Sequence, residues 1–208
     1  MNAELAASPR RARATIMADI ATALRNSNGH ATNIQSAIAA TNTSASEIAT
    51  EFGGNRELML ALVAQLSETM CAPLSTGAAT ADLRQRLLDF GRCVTDIYAN
   101  SHLRTLYRIA ITESIRHTGL ARDFYDIGPG HLARCLADFL HIAQRNGEIG
   151  SADPHLLASH LLAALRANLD VADTFSRYGA PDPLAAAAYV RNVVDLFFDG
   201  LGGGRQSC

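Results

Sequence analysis

Residues 32–52 read TNIQSAIAATNTSASEIATEF and contain two places where a helix should begin. Thr32 with Gln35, and Ser44 with Glu47, fit the spacing of a capping box, in which a hydroxyl accepts from the third helical amide while the second side chain reaches back to the cap. Twelve residues separate the two starts. The stretch therefore predicts two short helices in close succession.

The break between these helices is three residues long, Thr41, Asn42 and Thr43. Asn adopts the left-handed conformation that ends many helices more readily than most residues, so we expect Asn42 to do so here. Two short helices joined in this way are typical of a helix-turn-helix. Phe52 closes the pattern, and after two glycines a longer apolar helix is expected from Glu57 to about Leu74.

The same run resembles the DNA-binding motif of the tetracycline-repressor (TetR) family of bacterial regulators. Thr41 to Ser44 stand where that motif has Ala-Gly-Val-Ser, and Phe52, Leu58 and Met59 match it. The sequence departs from the motif at Ala49 and Asn55, where the family usually has a Tyr and a Lys that contact phosphate. Residues 112–129 resemble the C-terminal domains of the AefR-like subclass, so the resemblance spans nearly the whole chain.

This resemblance implies an all-α fold with a three-helix, helix-turn-helix head in residues 1–64 and a helical-bundle body in residues 65–208. The head would bind double-stranded, palindromic operator DNA. The body would bind a small apolar effector and form a homodimer. In this family the helix after Phe52 links the two parts, so that movement of the body changes the separation of the two recognition helices of a dimer.

Composition and charge set limits on these expectations. The chain has 208 residues, of which 48% are hydrophobic and 18% charged, which is ordinary for a globular protein. No apolar run reaches the roughly 18 residues of a membrane span. The N-terminal pattern is not that of a signal peptide, and four widely spaced cysteines indicate reduced thiols, so we expect a cytoplasmic protein without membrane contact. The net charge of -2 gives no general attraction to nucleic acid.

The candidate DNA contacts fall into three groups. Small residues form the outward face of the second short helix, where hydroxyl and methyl groups can meet base edges. Two further candidates open the next helix, and three arginines lie near the N-terminus, as an arm that touches DNA or as a solvated terminus. Together they are Ser44, Ala45, Ser46, Ala49, Thr50, Asn55, Arg56, Arg10, Arg11 and Arg13.

The candidate effector contacts are apolar residues at helical spacing along the body, with one arginine that interrupts an apolar face. Pockets between bundle helices are mostly apolar with few polar groups, although residues of this kind more often belong to the core. The candidates are Phe90, Tyr107, Ile111, Phe124, Phe139, Leu165 and Arg166.

The last two helices are strongly apolar, and small residues along them permit close approach. We expect them to form a symmetric four-helix contact through Leu161, Val190, Val194 and Phe197. The alternative is that both are core helices of a monomer.

No catalytic or metal-binding motif is recognisable. His131 and Cys135 lie one helical turn apart, but a third and a fourth ligand at suitable spacing are missing, so we predict neither a metal nor a cofactor. The sequence favours a ligand-responsive transcriptional regulator, a repressor released from DNA by a small molecule, rather than an enzyme. The alternative is a small-molecule-binding dimer whose head has lost tight DNA binding, since the first 64 residues carry five arginines and five acidic residues.

Overall fold

The computed structural model describes residues 8–27, 33–75, 82–99, 101–114, 119–175 and 183–202. These residues are helical almost throughout and include no strand. Within these ranges lie ten α-helices: α1 (Ser8–Asn26), α2 (Ile34–Ala39), α3 (Ala45–Phe52), α4 (Asn55–Cys71), α5 (Leu83–Ala99), α6 (Ser101–Ser114), α7 (Leu120–Ile127), α8 (Pro129–Arg145), α9 (Pro154–Phe175) and α10 (Pro183–Gly202). A short 3-10 helix at Ala72–Leu74 follows α4. The predicted all-α fold is confirmed.

The first compact unit comprises residues 1–66 and 100–128. Its core contains Ile20 and Leu24 of α1, Ile48 of α3 and Leu58 of α4, all at most 2% exposed. Leu106 of α6, which is 0% exposed, belongs to the same core. The helix-turn-helix is therefore held by helices on both sides of it in the sequence.

The second compact unit comprises residues 67–99 and 129–208. Its core combines the last turn of α4 with α5, α8, α9 and α10, and it includes Phe90, Leu136 and Leu165, each 0% exposed. The predicted functional boundary after residue 64 lies near the first of these divisions. The sequence did not indicate that α6 and α7 pack with the head, and the assignment of functions to residues 1–64 and 65–208 stays a prediction.

Gly91 permits the close approach of helices in the second unit. A Cβ atom at this position would lie 2.6 Å from Cγ1 of Val190 and 3.2 Å from Cδ2 of Leu165. Since α5, α9 and α10 meet here, Gly91 fixes how closely the three helices pack.

Candidate nucleic-acid interface and effector site

A complete capping box fixes the start of α3. The amide of Glu47 donates to Oγ of Ser44 over 3.2 Å, and the amide of Ser44 donates to Oε2 of Glu47 over 2.7 Å. Hydrogen bonds from the Ser44 side chain and backbone lower the pKa of Glu47. The helix ends at Gly53, which has the left-handed φ of 90°. The prediction for this helix is confirmed.

The start of α2 differs from the sequence-based prediction. Asn33, not Thr32, occupies the cap position, and its Oδ1 accepts from the amide of Ser36 over 2.9 Å. Thr32 lies outside the described residues. The cap in the structure stands one residue later than the expected capping box of Thr32 with Gln35. Asn and Thr are both good caps, and periodicity alone does not choose between neighbours.

The two faces of α3 differ sharply in burial. Ile48 is 2% exposed and Phe52 is 7% exposed, so they hold the helix on the core of the first unit. The opposite face consists of small, exposed side chains. These are Ser44, Ala45, Ser46, Ala49 and Thr50.

Two of the three hydroxyl groups on this face, those of Ser44 and Thr50, already use their hydrogens in local hydrogen bonds. Ser44 donates to Oε2 of Glu47 over 2.7 Å, and Thr50 donates to the carbonyl oxygen of Ser46 over 2.8 Å. Their remaining capacity is therefore to accept. In the major groove, acceptors pair with the amino groups of adenine and cytosine, and an Ala methyl group suits a thymine methyl group.

The candidate arginines whose side chains are described are engaged within the first unit. Arg13 donates from Nη1 to the carbonyl oxygen of Glu51 over 3.0 Å, and its guanidinium carbon lies 4.6 Å from the ring centroid of Phe52. Arg56 forms ion pairs with Glu57, at 3.4 Å, and with Asp123 of α7. The side chains of Arg10 and Arg11 lie outside the described part of the chain.

A groove of about 300 Å³ lies beside Asn55 and Arg56. Sequence reasoning did not find it, because its walls come from α2, α4, α6 and α7, which no single periodic pattern brings together. The lining residues are Asn33, Ile34, Gln35, Asn55, Arg56, Met59, Ile109 and Leu120.

The candidate effector residues divide between the two cores. Phe90, Phe139 and Leu165 are buried in the second unit. Tyr107 and Phe124 belong to the first, where their rings stack edge to face with centroids 5.0 Å apart. Five of the six apolar candidates therefore lie in two separate cores, and the role of all six as effector contacts stays a prediction.

Two of the candidates have surroundings that their spacing did not indicate. Ile111 is 63% exposed, so it faces away from the core rather than inward. Arg166 is half-buried; its Nε donates to the carbonyl oxygen of Leu162 over 3.1 Å, and its guanidinium carbon lies 5.7 Å from the ring centroid of Tyr98. Arg166 therefore lies against an aromatic ring of α5, and its role as a polar contact to an effector stays a prediction.

The expected dimer residues are already covered by their own chain. Leu161 is 2% exposed and Val190 and Val194 are 0% exposed, while Phe197 is half-buried against the same core. The apolar side chains of α9 and α10 that remain accessible are different ones: Leu156 at 54%, Leu184 at 80% and Leu196 at 71% exposure. Periodicity identified apolar helices correctly but assigned the core-facing side to the partner.

In the described ranges, no helix is both long enough and apolar enough to cross a membrane.

Comparison with known proteins identifies the chain's family. Residues 85–200, more than half of the chain, match the family model of the AefR-like transcriptional repressor C-terminal domain. A protein of Mesorhizobium loti MAFF303099 described as a TetR-family transcriptional regulator superposes with a TM-score of 0.72 at 18% identity, over 92% of this chain and 97% of that one.

Two further solved structures share the fold. The flavonoid-responsive regulator FrrA is 22% identical with a TM-score of 0.62, over 90% of this chain and 97% of that one. GusR of Salmonella enterica is 19% identical with a TM-score of 0.62, over 91% and 96%. No protein of curated function matches the chain significantly by sequence. The chain therefore belongs to the TetR family of ligand-responsive, DNA-binding transcriptional regulators, in the group with an AefR-like C-terminal domain.

Proposed function

We propose that the protein is a homodimeric repressor that binds palindromic, double-stranded operator DNA through α3 and is released by a small apolar effector. The observation that carries this proposal is the exposed face of α3. Its small side chains project from a helix whose two ends are fixed by the Ser44 cap and by Gly53. Such a helix can lie deep in a major groove without the cost of ordering long side chains.

Sequence readout would come from acceptors and methyl groups rather than from long donors. Ser44 and Thr50 offer oxygen acceptors, and Ala45 and Ala49 offer methyl groups. These contacts fit adenine, cytosine and thymine edges in the major groove. Phosphate contacts would come from backbone amides and from Arg10 and Arg11, because Arg56 is paired with two carboxylates.

Dimerisation through the last two helices is supported by the accessible leucines there. Leu184 and Leu196 of α10 and Leu156 of α9 are each more than half exposed. A symmetric dimer would present two α3 helices to half-sites about 34 Å apart, one turn of DNA. Leu196→Arg should yield a monomer in analytical ultracentrifugation, and Ile142→Arg, a similar change at the 47% exposed position on α8, should leave the dimer intact. An unchanged mass for Leu196→Arg would refute this interface.

The effector is proposed to bind among Phe90, Phe139 and Leu165, with Arg166 as its polar contact. The first three are buried side chains of one core, and Arg166 lies beside the ring of Tyr98. An effector that binds the DNA-free form more tightly must weaken operator binding by the same factor. The apolar anion 8-anilinonaphthalene-1-sulfonate is a suitable first probe, and saturable binding to the folded wild type that weakens in Arg166→Gln would support the site.

A mobility-shift titration tests DNA binding directly. The probe is the DNA that flanks the protein's own gene, measured at two salt concentrations against a scrambled competitor. Ser46→Glu places a carboxylate on the proposed reading face, yet its position in the first turn of α3 favours a negative charge, so the fold should not suffer. Ser151→Glu, at an exposed position between α8 and α9, is the matched control.

We expect a sequence-selective shift with the wild type and with Ser151→Glu, and its loss with Ser46→Glu. The absence of any sequence-selective shift by the wild type at low salt would refute the repressor function. Equal binding by Ser46→Glu would show that α3 does not read the DNA.

A further inference from the structure

Two thiols and an imidazole converge at one point in the second unit. The Sγ atoms of Cys71 and Cys135 and a ring nitrogen of His131 all lie within 4.8 Å of one another. Sγ of Cys135 is 3.5 Å from Nε2 of His131. We call these three residues the thiol–imidazole cluster.

Two helices that are distant in sequence bring the cluster together. Cys71 is in the last turn of α4, whereas His131 and Cys135 lie one turn apart near the start of α8. The sequence displayed only the second pair, because the spacing between Cys71 and His131 follows no local motif. The third ligand that the sequence lacked is therefore supplied by the fold.

A fourth donor stands next to the cluster. Oε1 of Glu68 lies 3.1 Å from Nε2 of His131, and Glu68 precedes Cys71 by three residues on the same helix. The side chains of Glu68 and His131 are 72% and 32% exposed. A metal ion can therefore reach the cluster from solvent, and the carboxylate or a water molecule can complete its coordination.

The separations suit a small tetrahedral ion. With Zn–S bonds of about 2.3 Å and Zn–N bonds of about 2.0 to 2.1 Å, tetrahedral ligand atoms lie about 3.4 to 3.8 Å apart. The 3.5 Å between Cys135 and His131 already matches this range. The Sγ atom of Cys71 lies at most 4.8 Å from each of the other two ligand atoms. A movement of this sulfur of about 1 Å therefore brings it into the tetrahedral range.

We propose that the thiol–imidazole cluster binds a thiophilic divalent cation of the Zn²⁺ class, held by Cys71, His131 and Cys135, with Glu68 or water as the fourth ligand. The two thiols release their protons to solvent when the thiolates bind the ion. With Glu68 as the fourth ligand, the bound site carries a charge of -1, and with water it is neutral. No redox change is involved.

Burial explains why the Cys71 thiol keeps its proton when no metal is bound. Removal from water, a hydrogen bond with Cys135 and the negative charge of Glu68 raise the pKa of the Cys71 thiol. Without a cation the Cys71 thiol therefore stays protonated near neutral pH. A buried cation reverses the balance, because coordination of a thiol to a metal deprotonates it outright.

Cobalt titration of the reduced full-length protein tests the site. We expect one Co²⁺ per chain, with the thiolate-to-cobalt charge-transfer band and the intense visible bands of a tetrahedral ion, both abolished by Zn²⁺. Removal of a residue that only supports a metal ligand typically weakens metal binding about 10- to 100-fold. Cys135→Ser and His131→Asn remove ligands themselves, so each should weaken Co²⁺ binding by more than that. Cys93→Ser, which removes the half-buried thiol of α5, is the matched control and should bind normally.

Circular dichroism of each variant separates loss of metal from loss of fold. Cys135 and His131 are only half-buried, so their variants should fold even if Cys71→Ser, at a buried position, does not. The proposal is refuted if the wild type gives no charge-transfer band under reducing conditions, if Cys93→Ser abolishes the band, or if Cys135→Ser and His131→Asn both retain it. This inference does not depend on DNA binding, so a failed mobility shift leaves it standing.

Discussion

His102 makes the first compact unit sensitive to acid. It lies in the first turn of α6 and is 4% exposed. Burial, followed by the positive charge of Arg25, lowers the pKa of His102 from 6.5 to about 4. The folded protein thus holds a neutral imidazole at a pH where the unfolded chain is already protonated.

The sign and size of the effect follow from proton linkage. Between pH 6.5 and about 4 the unfolded chain binds a proton that the folded one does not, so stability is fully present above pH 6.5 and falls as the pH approaches 4. At 1.36 kcal/mol per pH unit, the loss from this one group is about 3 kcal/mol. That is a large part of the stability of an ordinary domain.

Urea unfolding followed by far-ultraviolet circular dichroism at several pH values measures this loss. The variant His102→Gln cannot be protonated, and His141→Gln, at an exposed position on α8, is the control. Carboxylates also titrate in this range, so the informative quantity is the difference in slope between wild type and variant. We expect His102→Gln to lose about 1 kcal/mol less per pH unit than wild type and control between pH 6 and 5. Equal slopes would refute the reasoning.

Two further substitutions test the cap of α3 and the packing of α5. Ser44→Ala removes the cap of α3 and should lower the free energy of unfolding by about 1 kcal/mol, whereas Ser159→Ala, at an exposed position within α9, should not; equal effects in urea unfolding would contradict the capping role. Gly91→Ala gains about 1 kcal/mol of helix propensity, but its Cβ would lie 2.6 Å from Cγ1 of Val190. We therefore expect the free energy of unfolding to fall by about 1 to 2 kcal/mol. A rise in melting temperature would show instead that α10 moves aside at little cost.

The sequence predicted correctly those features that depend on residues close together in the chain. The Ser44 capping box depends on residues three apart, and the structure contains both of its hydrogen bonds. The end of the second short helix at Phe52 and the start of a longer helix after the two glycines also followed from neighbouring residues. Features of this kind are predictable because the partners are neighbours in the chain.

Long-range features were not predictable from periodicity. An apolar stripe indicates that a helix face is covered, but not which helix covers it. Val190 was therefore assigned to a partner chain although α5 and α9 bury it within its own. The same limit explains why Cys71 was not connected with His131, and why the groove beside Arg56 was missed.

The charge distribution of the head predicts an unusually shallow salt dependence of operator binding. Arg13 donates to the main-chain carbonyl oxygen of Glu51, and Arg56 forms ion pairs with Asp123 and Glu57. We therefore expect the phosphate contacts of arginine side chains to come from Arg10 and Arg11, which lie outside the described side chains. A dimer would then neutralise about four phosphates through its arginines. Since each neutralised phosphate contributes about -0.9, the slope of log K against log salt concentration should be about -4. If Arg13 and Arg56 also engaged DNA, the slope would be about -7.

Binding isotherms at four or more salt concentrations distinguish these cases. Substitution of Arg10 and Arg11 by Gln should flatten the slope toward zero, whereas Arg56→Gln should change it by less than about 1. A wild-type slope near -7 that Arg56→Gln reduces by about 2 would show that DNA breaks the pair with Asp123. That pair is about 40% exposed on both sides and costs at most about 1 kcal/mol to open, so the result depends on whether a phosphate lies within reach of Arg56.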